Sequence, residues 1–206
     1  MAKSVKNKKE PQKESTTTNE ELQSVETYSK FSEFDIYLFK SGKHFKLYEK
    51  LGSHVVEYKG VIGTYFALWA PNAQYVSVIG DFNGWNNGSH PLLARWDGSG
   101  IWEGFVPHIG RGEVYKYFIK SNNHGQEFEK SDPFALWCEV APKTASVVWD
   151  NWYEWQDEAW MRERRKHNAL NAPMSVYEIH LASWMRDPED PKRFLNYREV
   201  ADSLVP

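Results

Sequence analysis

A tryptophan among asparagines is the feature of this sequence best suited to binding chemistry. Residues 82–88 read FNGWNNG, so that Trp85 lies close to Asn83, Asn86 and Asn87. Glycine and asparagine are typical of turns, and they predict an exposed loop here. The flat face of an indole can stack on the apolar face of a hexose ring, and side-chain amides bond to hydroxyls. We therefore expect this loop to contact sugar; the alternative is that Trp85 caps the edge of a domain.

Short strands must position this loop. Alternating β-branched and aromatic residues, with glycine, asparagine and proline between the runs, predict strands at residues 55–58, 64–70, 75–79, 101–106, 113–119 and 145–148. Strands at this spacing are typical of a β-sandwich, which is expected to occupy residues 55–150. Lys116 alternates with aromatic residues in the fifth strand. We expect it on the same face as Trp85; the alternative is an ordinary exposed lysine.

The segments before the sandwich differ from it in composition. Residues 1–27 are polar and almost free of aromatic residues, which predicts a disordered tail. Residues 31–39 and 44–51 predict two short helical pieces. Residues 28–54 are therefore expected to form an N-terminal helical hook that packs on the sandwich.

The segments after the sandwich change from strand to helix periodicity. Residues 151–173 mix tryptophan with charged residues and predict a linker with a short helix, which Pro173 stops. Residues 175–181 predict a strand and residues 197–205 a helix. A strand followed by a helix begins a parallel α/β fold, which is expected over residues 174–206.

The composition argues against several classes of partner. The net charge of -3 gives no electrostatic footprint for nucleic acid or an anionic membrane. No apolar run approaches the ~20 residues that span a bilayer, and no apolar segment follows the N-terminal lysines as in a secretory signal. The single cysteine, Cys138, fits a reducing compartment and hence the cytoplasm. A buried or half-buried side chain is favoured for it over a reactive thiol.

Four segments carry a resemblance to known families. Residues 63–86, GTYFALWAPNAQYVSVIGDFNGWN, resemble the signature of carbohydrate-binding module family 48. Residues 130–135, KSDPFA, resemble the KxDPYA segment of branching enzymes, and residues 144–149, TASVVW, the segment that closes the module. Residues 174–184, MSVYEIHLASW, are similar to the MSIYEVHLGSW that opens the first barrel strand of bacterial branching enzymes, with Ala182 in place of the usual glycine.

The resemblance implies a fold and an activity. The fold is mainly β: an immunoglobulin-like β-sandwich with the N-terminal helical hook and the first βα unit of a truncated (β/α)8 barrel. Because such a barrel needs ~250 residues, we expect the chain to be a fragment whose module packs on its own catalytic barrel in the parent protein. The implied parent is a 1,4-α-glucan branching enzyme, which makes α-1,6 branches in glycogen by transferring α-1,4-linked oligoglucosyl chains. No metal or organic cofactor is implied.

The resemblance also implies which residues bind α-1,4-glucan. Trp85 and Lys116 match the two positions that line the sugar groove in glycogen-binding members of family 48, and Phe128 is the candidate for a further aromatic contact. Two alternatives remain open for the whole protein. One is a non-catalytic glycogen- or starch-binding regulatory module, and the other is a debranching or trehalose-releasing relative.

The chain alone is expected to be inactive. Retaining glycosyl transfer needs two carboxylates ~5–5.5 Å apart, and in α-amylase-like barrels they lie on later strands. No motif assigns that role to Asp132 or Glu178; a buried, hydrogen-bonded carboxylate is expected at Glu178, and a structural role at His180. Because most tryptophans are largely buried, we expect packing roles for four others, which are Trp69, Trp96, Trp102 and Trp149.

Overall fold

The computed structural model describes residues 25–204. Residues 1–24 of the tail predicted over residues 1–27 lie outside the described residues. The described chain divides into two compact units, with the boundary after Trp152. The first contains α1 (Glu33–Lys40), β1 (Gly52–Tyr58), β2 (Val61–Trp69), β3 (Ala73–Gly80), β4 (Leu93–Ala94), β5 (Ile101–Pro107), β6 (Val114–Ser121), β7 (Glu127–Lys130), β8 (Trp137–Cys138) and β9 (Ser146–Val147). The second contains α2 (Glu158–His167), α3 (Leu181–Trp184) and α4 (Tyr197–Leu204).

Two antiparallel sheets form the first unit. One has the strand order β1-β2-β5-β4, and the other the order β3-β6-β9-β8. Strand β7 also pairs with β6, further along the strand than β9 does. The inner faces pack together in one apolar cluster that includes Phe66 and Val106 from the first sheet and Val78, Tyr115 and Tyr117 from the second. The predicted β-sandwich is therefore confirmed.

The outer face of the first sheet is covered by the N-terminal hook. Phe31, Ile36 and Leu51 pack against Tyr65 and Ala67, which alternate with the inner-face residues of β2. Six consecutive residues of β2 are buried as a result, although a strand with one solvated face alternates between buried and exposed. The two predicted helical pieces appear as α1 and a short 3₁₀ turn at Leu47–Glu49.

Helix α1 begins at a capping box. The hydroxyl of Ser32 accepts from the backbone N–H of Asp35, and the carboxylate of Asp35 accepts in return from the N–H of Ser32. The same carboxylate lies 3.0 Å from His44 Nε2 and 2.9 Å from Lys50 Nζ. Although burial opposes it, these hydrogen bonds hold the pKa of Asp35 well below its ordinary value. One carboxylate thus joins the start of the hook to its end.

Parts of the terminal predictions are wrong. Glu26, within the predicted tail, pairs with Phe105 through two backbone hydrogen bonds of 2.7 and 2.9 Å. The linker helix α2 ends at His167, with Asn168 as its C-cap, and not at Pro173. No strand forms over residues 175–181, most of which are exposed. A strand needs a neighbour to satisfy its backbone groups, and this segment has none among residues 25–204. The predicted helix at residues 197–205 is present as α4.

The predicted environments of the tryptophans and of Cys138 are also partly right and partly wrong. Trp102 packs on the main core and donates to the carbonyl of Ala70, and Trp149 stacks edge-on against Trp137. Trp69 is 55% exposed but packs edge-on against Phe39 and donates its indole N–H to Ser99 O at 3.1 Å. Trp96 is 87% exposed, so its predicted packing role is wrong. Exposure likewise overturns the expectation for Cys138, which is a free, exposed thiol. No helix of the described residues has the length and apolar character that crossing a membrane requires.

Candidate carbohydrate-binding face

The outer face of the second sheet is the candidate site. Successive side chains of a strand point to opposite faces, so Tyr115 and Tyr117 enter the core while Lys116, Phe118 and Lys120 face outward. In the antiparallel register, Ile79, Ser77 and Tyr75 of β3 lie directly opposite these three outward residues. Cross-strand partners share a face, which makes these six side chains one outer surface.

A loop anchored at both ends folds over this surface. It leaves β3 through a 3₁₀ turn at Asp81–Asn83. It then returns along the free edge of β3, where His90 O accepts from Val78 N at 3.0 Å and Leu92 N donates to Val76 O at 2.9 Å. The hydroxyls of Ser77 and Tyr75 both donate to the carbonyl of Asn87, at 2.7 Å each. Residues 81–89 are therefore held against the sheet and form a wall along its outer face.

Trp85 is the exposed aromatic of this loop. Its side chain is 38% exposed, and its backbone adopts the left-handed conformation with φ of 60°. That conformation costs an L-residue ~1–2 kcal/mol. Two hydrogen bonds hold it in place: the backbone N–H donates to Gly80 O at 2.9 Å, and the indole N–H donates to Asp81 Oδ1 at 2.8 Å. The ring is thus held at its indole N–H, and part of its surface remains exposed.

Trp85 and Lys116 line the same groove. The groove has a volume of about 320 Å³. Its walls also include Asp81 from the loop and Glu139 and Lys143 from the segment between β8 and β9. Lys143 Nζ and Glu139 Oε1 are 3.0 Å apart. The groove therefore combines one aromatic face with both hydrogen-bond donors and charged acceptors.

The sequence singled out neither Glu139 nor Lys143, because they lie in the connection between the two-residue strands β8 and β9, which no local pattern predicts to reach the groove. Asp81 could have been found, since it lies four residues before Trp85 in the same loop.

The two asparagines have different roles. The Asn83 side chain donates to Val78 O at 3.0 Å and to His90 Nδ1 at 2.8 Å, and its Oδ1 accepts from Gly80 N. Both polar atoms of the side chain thus hold the loop, and the contact of Asn83 with sugar hydroxyls stays a prediction. Asn86 is exposed, and its Oδ1 accepts from Gly88 N at 2.8 Å. Among the described residues, none accepts from its Nδ2, which stays available to a hydroxyl.

Phe128 lies on the opposite side of the sheet from Lys116. Its partner across the strand pair is Ile119, which packs against the main core. The 40% exposed ring of Phe128 borders a separate depression formed with residues of the turn between β2 and β3, including Pro71. The expected grouping of Phe128 with Trp85 and Lys116 is therefore wrong. The physical reason is strand register, because a displacement by one residue moves a side chain to the other face.

Comparison with known proteins decides the family of this sandwich. The family Carbohydrate-binding module 48 (Isoamylase N-terminal domain) matches residues 50–135. These residues belong to carbohydrate-binding module family 48.

The family 48 module and the residues after it are also similar to complete proteins. The 1,4-alpha-glucan branching enzyme GlgB of Aquifex aeolicus is 52% identical over 180 residues, which are 87% of this chain and 28% of that protein. GlgB of Gloeobacter violaceus is 49% identical over 179 residues, 86% of this chain and 24% of its own. The chain thus spans about a quarter of the length of these curated relatives. The resemblance suggested by the four motifs is confirmed.

Among solved structures, pullulanase from Bacillus acidopullulyticus overlaps 49% of this chain and 12% of its own, at 22% identity and a TM-score of 0.38. An overlap at that score adds nothing to the fold described above.

A buried network behind the groove stiffens the family 48 module. Asp132 Oδ2 accepts from Tyr115 OH at 2.6 Å and from Tyr117 OH at 3.2 Å, and its Oδ1 accepts from Phe134 N at 2.8 Å. Burial raises the pKa of Asp132, although these hydrogen bonds oppose the shift. Burial and the nearby carboxylate also raise the pKa of Tyr115 and Tyr117. The residues that flank Lys116 on β6 are therefore fixed from the core side.

The acidic and histidine candidates beyond the module are not grouped into a site. Glu178 is exposed, so the expected buried carboxylate is wrong. His180 is exposed too, and its Nδ1 lies 3.0 Å from Ser183 Oγ within the same short segment. Among residues 25–204, no group of three or more histidine, cysteine or acidic side chains is arranged to hold a metal ion.

Proposed function

We propose that the family 48 module binds α-1,4-glucan in the groove of Trp85 and Lys116. The observation that carries this proposal is the joint placement of the two side chains on the outer face of the second sheet, with the indole pinned by Asp81. A pinned ring loses little freedom on binding, and preorganisation of this kind improves affinity without adding contacts.

The charges of the groove favour a neutral ligand. Asp81 and Glu139 stand beside Lys116 and Lys143, so a phosphate or carboxylate would meet repulsion as well as attraction. Hydroxyls of a sugar can donate to the carboxylates and accept from the ammonium groups at the same time. A polyhydroxylated neutral chain therefore fits this groove better than an anion does.

For the whole protein, we propose a 1,4-α-glucan branching enzyme that forms α-1,6 branches in glycogen. Branching enzymes named GlgB are 46–52% identical over most of this chain, which favours branching over a regulatory module or a debranching relative. The chemistry would use a nucleophilic carboxylate and an acid/base carboxylate ~5–5.5 Å apart, a pair that we assign to a catalytic barrel on which the module packs. In this proposal the module holds the glucan for that barrel, and the protein is cytoplasmic.

Substitution of Trp85 tests the binding proposal. Stacking on one aromatic ring contributes ~0.5–1.5 kcal/mol, by analogy with aromatic pairs, so Trp85→Ala should weaken binding of maltoheptaose about 2- to 13-fold. Trp96→Ala is the matched control, because Trp96 is 87% exposed and does not line the groove. Calorimetric titration and retention on a glycogen gel measure binding, and thermal melts measure stability. Unchanged binding with a sharply lower melting temperature for Trp85→Ala would identify Trp85 as a packing residue and overturn the proposal.

A further inference from the structure

A second groove lies on the same face of the sheet as the Trp85 groove. It has a volume of about 450 Å³ and is lined by Gln74, Tyr75, Asn87, Phe118, Lys120 and Glu127. We propose that this Tyr75 groove is a further glucosyl subsite, so that one α-1,4-glucan chain runs across the sheet from Trp85 to Tyr75. This inference rests on the proposed function of the Trp85 groove, and it adds a second contact region for the same ligand.

The strand register connects the two grooves. Lys116 lines the first and Lys120 the second, and both face outward from β6 with Phe118 between them. Four residues of antiparallel strand span ~14 Å, which is more than a single hexose ring covers. The ligand that reaches both grooves must therefore be an oligosaccharide.

One loop forms a wall of both grooves. Asp81 and Trp85 border the first groove, and Asn87 and Gly88 border the second. Because the Asn87 carbonyl is held by the hydroxyls of Ser77 and Tyr75, the loop follows β3, and outward side chains of β6 line both grooves.

The side chains of the Tyr75 groove suit a sugar. The rings of Tyr75 and Phe118 pack edge-to-face, with centroids 6.2 Å apart, and supply an apolar surface. Lys120 Nζ and Glu127 Oε1 lie 3.6 Å apart, at a distance that gives a loose ion pair. Each can therefore exchange part of that contact for a sugar hydroxyl, with Lys120 as donor and Glu127 as acceptor. The opposite charges again disfavour an anion.

Ligand length separates the two grooves experimentally. Maltotriose is expected to occupy the Trp85 groove alone, and maltoheptaose both grooves. Lys120→Ala, at a partly exposed side chain, should weaken the binding of maltoheptaose about 2- to 13-fold, which is the range for one hydrogen bond. It should leave the affinity for maltotriose unchanged. Tyr75→Ala should do the same, with thermal melts to check its fold. The matched control is Lys130→Ala, because Lys130 lies opposite Tyr117 and so on the other face of the sheet.

The outcomes distinguish the two proposals. Binding of neither ligand by the unaltered chain would refute the proposed function itself. Loss of binding in Trp85→Ala, with unchanged maltoheptaose affinity in Lys120→Ala and Tyr75→Ala, would refute only the second subsite. Equal weakening of both ligands by Lys120→Ala would also refute it, because the side chain would then act at the Trp85 groove.

Discussion

Removal of the Asp132 carboxylate should destabilise the sandwich more than any loss of surface contact could. In Asp132→Ala, Tyr115 OH loses a 2.6 Å acceptor inside the core, and Phe134 N–H loses a 2.8 Å acceptor at its edge. Tyr117 OH is less affected, because Ala67 O lies 3.4 Å away as a second acceptor. Each buried group left without a partner costs ~1–3 kcal/mol. The variant no longer has to bury a carboxylate, which offsets part of this cost. The expected decrease in the free energy of unfolding is therefore about 2–4 kcal/mol.

Asp132→Asn separates the hydrogen bonds from the charge. The amide oxygen of the asparagine can still accept from Phe134 N–H, and the two tyrosine hydroxyls can accept from its amide nitrogen. The decrease in the free energy of unfolding should therefore stay below about 1.5 kcal/mol. Urea unfolding followed by tryptophan fluorescence measures both variants. Glu57→Ala, at an exposed acid of β1, is the control. A loss under about 1 kcal/mol for Asp132→Ala, or an equal loss for both Asp132 variants, would refute the reasoning.

The pH dependence of this network has a defined sign. Burial raises the pKa of Asp132 in the folded protein above the value of the unfolded chain. The folded state therefore holds the proton more tightly, and stability is complete below the ordinary aspartate pKa. Stability should then decline as the pH rises through the interval between the ordinary and the raised value. The decline should be absent in Asp132→Asn, because its amide does not titrate.

Two further predictions concern the hook and the sheet. Burial lowers the pKa of His54 from 6.5 to about 4, so the stability that neutral His54 contributes is complete above pH 6.5 and lost as the pH falls towards 4. Thermal melts across that interval should show that the unaltered protein loses about 1–2 kcal/mol of stability, a value discounted for the partial exposure of His54. His54→Gln should lack this loss, and parallel curves of stability against pH for the two proteins would contradict the prediction. A Cβ at Gly63 would lie 2.4 Å from Val106 O, so Gly63→Ala should cost about 3 kcal/mol or more in urea unfolding. Gly110→Ala, with nothing within 4 Å, should be neutral, and equal effects of the two would exclude the steric cause.

The sequence predicted the long strands better than the short ones. Strand β3 contains the run Tyr75-Val76-Ser77-Val78-Ile79, and its β-branched and aromatic content is enough to predict a strand. Strands β4, β8 and β9 have two residues each, too few for a period, and only β9 falls within a predicted run, at residues 145–148. They pair only because the neighbouring strand offers free backbone groups, which is tertiary information that the local sequence lacks.

The candidate site was predicted where local signals decide it. Trp85 lies in a loop whose composition indicates exposure, and the parity of Lys116 follows from its aromatic neighbours in β6. Phe128 was placed wrongly because its face depends on the register between β6 and β7, which the turn between them sets. The loop-stabilising hydrogen bonds of Asn83 could not be predicted for a different reason: its residue type suits a ligand hydroxyl and a bond within the loop equally well.

Strand β6 connects the stability of the module to its binding. Its inward residues, Tyr115 and Tyr117, are fixed by Asp132, and its outward residues, Lys116 and Lys120, line the two grooves. Because successive side chains point to opposite faces, substitutions on the outer face should change affinity with little effect on stability, and those on the inner face the reverse. A rigid strand also keeps the two grooves at a constant separation. A glucan that fits that separation is bound without reorganisation of the protein, which is the condition under which two weak contacts act together as one stronger site.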